Sequence, residues 1–77
     1  MIVLHERIIL TDDLPSEGLE LGDVGTVVFV HEKGEAYEVE FLTLSGATAA
    51  VATVRAEQLR PVGQRDLVHA RPLATVA

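Results

Sequence analysis

An all-β domain is predicted by three features of the sequence. Over residues 36–43, Tyr37, Val39 and Phe41 alternate with Glu38 and Glu40, the two-residue period of a strand with one buried and one wet face. The run Gly22-Asp23-Val24-Gly25-Thr26-Val27-Val28-Phe29-Val30 hands a polar loop straight into an apolar stretch. Glycine serves where φ turns positive or a strand bulges, and Val and Phe suit a pleated, half-buried surface. Third, short β-branched runs recur between clusters of Gly, Pro, Asp and Ser, and no αβα pattern competes with them.

The elements follow in order. Strand one is expected over residues 2–11, around Arg7-Ile8-Ile9-Leu10, and Asp12-Asp13-Leu14-Pro15-Ser16-Glu17-Gly18 then opens a long loop of turn and breaker residues. Strand two is expected over residues 24–31, with a hairpin turn at Glu32-Lys33-Gly34-Glu35 and strand three over 36–43. Ser45-Gly46 marks the next turn, and strand four covers 48–54. Ala56-Glu57-Gln58 suits a single helical turn. Strand five is brief, 59–62, with Pro61 confining it to an edge or a strand end. Five short strands, a long first loop, tight hairpins and a helical turn before the last strand describe a small five-stranded SH3-like barrel over residues 1–62. Residues 63–77 lie outside it, with Pro72 barring a long helix. They form either a disordered tail or an arm that docks Leu67, Val68, Leu73 and Val76 on something.

Strand two carries a surplus of apolar residues. If Val28 and Val30 face inward, then Val27 and Phe29 face outward; a bulge at Gly25 or strong coiling would bring both sets partly inside, and otherwise Val27 and Phe29 form an apolar patch awaiting the tail or a partner.

Size and composition narrow the function classes. A chain of 77 residues is one domain, and it buries only roughly 60% of the surface its unfolded form exposes. It has no cysteine for a disulfide, and His5, His31 and His69 are singletons without metal-ligand spacing. Neither a metal nor a cofactor is expected, which leaves self-association, as a homodimer, to support the fold. The longest apolar stretches fall far short of the ~20 residues of a membrane helix. Met1-Ile2-Val3-Leu4-His5-Glu6-Arg7 has no export-signal pattern, so a cytoplasmic location is expected.

Charge is uneven. Residues 1–40 hold ten acids against Arg7 and Lys33, a net of −8; residues 41–77 hold Glu57 and Asp66 against four arginines, a net of +2. An acidic front half opposes non-specific binding to phosphate backbones. It suits a basic protein partner, or the C-terminal half of a second copy, as well as plain solubility. Asp12, Asp13 and Glu17 in the first loop, with Val27 and Phe29, are therefore the candidate partner-binding residues. The competing reading is nucleic-acid or ribosome-associated binding through Arg55, Arg60 and Arg65, although no aromatics interleave with them for base stacking.

Catalytic signatures are missing. Ser16 and Ser45 sit in turns, the sole lysine, Lys33, sits in a hairpin, and Gly22-x-x-Gly25 leads into a strand rather than a phosphate-binding helix. The loop carboxylates, Glu20 and Asp23 included, lack the spacing of a calcium loop. With three aromatics and no Trp, the chain also lacks the groove of a proline-rich peptide binder. No catalytic residue is assigned.

The Gly-x-x-Gly-x-Val core at Gly22, Gly25 and Val27 resembles the KOW sequence of ribosomal and transcription-elongation barrels. A longer string is more specific: Leu10-Thr11-Asp12-Asp13-Leu14-Pro15, Gly18-Leu19, Gly22 through Val28, Ala36-Tyr37-Glu38-Val39-Glu40-Phe41 and Gln58-Leu59-Arg60-Pro61. Over roughly residues 7–62 it resembles the bacterial family called domain of unknown function 4926. That resemblance implies a fold and a size, a small bacterial protein or module, and no catalytic residues. The expected role is a non-enzymatic protein-interaction module, such as an inhibitory or antitoxin-like subunit of a bacterial protein pair.

Overall fold

The computed structural model describes residues 2–73. Five strands, β1 (Arg7–Leu10), β2 (Val24–His31), β3 (Ala36–Leu42), β4 (Thr48–Arg55) and β5 (Leu59–Pro61), are joined with single 3-10 turns at Pro15–Glu17 and Ala56–Gln58. They form one antiparallel sheet in the order β4-β3-β2-β1-β5. The end strands β4 and β5 do not pair, so this all-β fold keeps the SH3-like strand order without closing into a hydrogen-bonded barrel.

One cluster fills the concave side. Ile8 and Leu10 from β1, Val27 from β2, Tyr37, Val39 and Phe41 from β3, Ala52 and Val54 from β4 and Leu59 from β5 are all buried together. The alternation of β3 puts its three large apolar side chains into that cluster and leaves Glu38 and Glu40 on the outer face. No polar side chain is buried among the described residues.

The bulge in β2 falls at Val28, not at Gly25. Register passes from Val27↔Val39 to Phe29↔Glu38, so Val28 is the extra residue, and the inward set changes from Gly25 and Val27 to Val30. Val27 is thereby fully buried and cannot belong to an exposed patch, which corrects its assignment as a contact residue. Phe29 stays outside.

Two glycines at the junction act differently. Gly22 has φ 95° and donates its N–H to the Leu10 carbonyl at 2.9 Å, closing the long loop against β1. Gly25 is ordinary extended strand, and its missing side chain is what lets β2 lie against Val39 and Phe41.

The first strand begins later than its sequence suggests. His5 adopts φ 72° and Glu6 donates its N–H to the Val3 carbonyl at 3.1 Å, so residues 3–6 make a turn, although Ile2 still reaches the core. In the β2–β3 hairpin the Gly34 N–H bonds the His31 carbonyl at 2.8 Å, and Glu32 (φ 46°) and Lys33 (φ 58°) occupy the central positions in left-handed conformation. That is type I′ geometry built without its favoured residues.

Candidate functional site

The outer face of the sheet has two regions. On β2 and β3, Phe29 is 54% exposed and meets His31 edge-on at a 4.8 Å centroid distance. The Glu38 carboxylate lies 2.6 Å from His31 Nε2 and accepts a 2.6 Å hydrogen bond from the Thr53 hydroxyl. The Thr53 hydrogen bond first, and His31 second, hold the Glu38 carboxyl below its ordinary pKa. This row ties β2, β3 and β4 together side by side.

The second region is a groove of about 1380 Å³, bounded by the sheet's outer face, the long first loop, the β3–β4 turn and residues 66–73. Ile9 shows how the arm sits. Its neighbours Ile8 and Leu10 face the core, so Ile9 faces outward, opposite Val24 and Arg60, yet it is only 8% exposed and lines the groove that the arm bounds. A residue on the outer face is thus buried where the C-terminal segment borders the same groove.

Two ion pairs hold that segment. At its base, Arg60 bonds Asp66 through both nitrogens, at 3.0 and 2.8 Å, and Asp66 also accepts the Gly63 N–H at 2.6 Å. The Arg60 bonds, followed by the Gly63 N–H, lower the Asp66 pKa to about 2. At its far end Arg71 spans 48 residues of sequence to reach Asp23, with Nε 3.0 Å from Oδ1 and Nη2 2.6 Å from Oδ2. Nη2 also donates to the Gly18 carbonyl at 3.3 Å, and Glu20 lies 3.6 Å from Nη1. Partial burial works to raise the Asp23 carboxyl; the hydrogen bonds from Arg71 and the Glu20 N–H, with the Arg71 charge, outweigh it and leave the pKa below its ordinary value.

The arm contributes charge and little apolar burial. Leu67 is 93% and Val68 82% exposed, and Leu73 is also exposed; Val76, the fourth residue expected to dock, lies outside the described residues. Of the thirteen large apolar residues exposed among the described residues, eight line this one groove: those three, with Leu21, Val24, Leu42, Leu44 and Val62. A concentration of exposed apolar surface beneath a polar rim marks an interaction site more often than chance scatter does.

The candidate residues read from the sequence fare unequally. Asp12 and Glu17 are exposed, and Asp13 spends its Oδ1 on the Leu21 N–H at 2.8 Å, fixing the loop. Arg55 bonds Glu57 at 3.1 Å and Arg60 bonds Asp66, so two of the three arginines offered to nucleic acid already face carboxylates. Arg65 is exposed on the arm. The groove and the Asp23–Arg71 pair were not legible as a site, because their parts come from segments far apart in sequence with no local pattern linking them. Among the described residues no group of three or more His, Asp or Glu side chains is placed to hold a metal ion, and no helix is long and apolar enough to cross a membrane.

Fold and groove together define a small all-β module with an apolar, charge-rimmed groove on the outer face of its sheet. The family model for a domain of unknown function (DUF4926) matches residues 4–61, and the chain belongs to that family. No curated protein and no solved structure matches it.

Proposed function

We propose that this chain is a non-enzymatic protein-interaction module of the cytoplasm, and that the groove beneath its arm is the contact surface. The gathering of eight of the thirteen exposed large apolar residues into that groove carries the reading. Removing such surface from water contributes about 25 cal/mol per Å², the usual drive for association. Pairing of Arg55 and Arg60 with local carboxylates favours a protein partner over nucleic acid. The partner is a second copy or another protein. Phe29, exposed on the neighbouring row of the same face, extends the surface.

The test replaces Leu44, exposed in the β3–β4 turn, with Asp. Light scattering over a range of concentrations reads self-association, and affinity capture reads a stoichiometric protein partner. The wild-type chain forms one of these complexes and Leu44→Asp loses it. A chain that stays monomeric and captures nothing, or a complex that Leu44→Asp leaves intact, overturns the reading.

A further inference from the structure

We infer that the acidic corner of the groove, Asp23 with Glu20 and the Gly18 carbonyl, is a recognition site for an arginine of an extended partner peptide, and that Arg71 fills it as an internal stand-in. The inference deepens the groove reading and rests on it.

The corner is built for a guanidinium. Asp23 receives Nε and Nη2 on its two oxygens and Gly18 adds a carbonyl to Nη2, the forked pattern that a planar guanidinium satisfies and an ammonium does not. Asp23 is also set without its guest. Its Oδ2 accepts the Glu20 N–H at 2.8 Å, while Leu21 N–H is tied to Asp13 at 2.8 Å, so the loop holds the carboxylate in place. A further cavity of about 320 Å³ opens beside the pair, lined by Asp13, Pro15, Gly18, Leu19, Glu20 and Arg71.

The present occupant fits the charge but not the wall. Arg71 satisfies the carboxylates, yet Leu67 and Val68 of its segment stand in water, and so do Leu21 and Val24 of the groove. A peptide with large apolar side chains flanking an arginine would satisfy both halves at once. The two halves are also separable: every receiving group lies inside the family-matched segment 4–61 and Arg71 lies outside it. A tethered arm competes at an effective concentration of about millimolar, so the intact chain screens its own site.

The experiment titrates a fluorescent peptide holding one arginine between leucines, with its lysine and citrulline analogues, into full-length wild-type chain and Arg71→Ala. Arg71→Ala binds the arginine peptide at least tenfold tighter than wild type does, prefers it at least tenfold over both analogues, and loses that preference when Asp23→Asn is added. Absent saturable binding to Arg71→Ala, equal binding of the three peptides, or equal binding by wild type and Arg71→Ala overturns the inference. The last two comparisons do not depend on Asp23→Asn folding. Partner capture that needs Leu44 but shows no arginine preference sinks the arginine site and leaves the groove reading standing.

Discussion

Gly25→Ala places one methyl group where β2 lies directly against Val39 and Phe41 of β3. An ideal Cβ at residue 25 would stand 2.9 Å from Phe41 Cε2, 3.0 Å from the Glu40 carbonyl oxygen, and nearer still to Val39 Cγ1. Carbon atoms rest about 3.5–4.0 Å apart, so all three neighbours must give way. None can do so freely. Val39 is fully buried and stiff at χ1, Phe41 is packed in the core, and Glu40 is held in register opposite Thr26. Overpacking of this kind costs about 1–3 kcal/mol, and simultaneous conflict with two core side chains and a backbone atom puts Gly25→Ala at the upper end, about 3 kcal/mol. A chain of this length has about 4–12 kcal/mol to lose. With a urea dependence of about 1 kcal/mol per M, the unfolding midpoint followed by circular dichroism falls by about 3 M. A Val39→Ala background removes the nearest of the three conflicts and leaves those with Phe41 and Glu40, so the same substitution costs less there than in the wild-type chain. A midpoint shift under about 0.5 M, or strict additivity of the two substitutions, would refute the steric account.

Two further expectations concern the hairpin and the acid limb. Because Glu32 and Lys33 hold left-handed φ values without being glycine, replacing them with Asn and Gly removes strain and raises stability by about 1 kcal/mol, read as a higher urea midpoint. Asp23, Glu38 and Asp66 titrate below their ordinary values when folded, Asp66 at about 2. The unfolded chain then binds more protons in acid, so their contribution is complete above the unfolded carboxylate range near pH 4 and disappears as pH falls towards about 2. The unfolding midpoint drops over that window, and the drop is smaller in Asp23→Asn/Asp66→Asn; an unchanged drop would show that these pairs do not couple to folding.

The sheet was largely legible because its signals are local. The 36–41 alternation in β3, the glycine-bearing turns and Pro61 each set a strand or its end through neighbouring residues. Strand two shows the limit of that reasoning. Val27, Val28, Phe29 and Val30 are all β formers, and pattern alone assigns no inward set; pairing with Val39 and Glu38 places the extra residue at Val28 and sends Val27 into the core. His5 likewise delays the start of the first strand to Arg7 through a left-handed turn, which nothing in an apolar stretch with one histidine foretells.

By itself the sequence determined an all-β domain of five short strands, the face of β3 that is buried, and the absence of a catalytic or metal-binding signature, since periodicity and residue chemistry act over a few positions. Tertiary structure alone decided that the sheet stays open, that Ile9 is buried on the outer face, and that Arg71 reaches Asp23 to bound an apolar groove. Those outcomes depend on contacts between segments dozens of residues apart, and charge or hydropathy along a chain carries no record of which distant partner a side chain will meet.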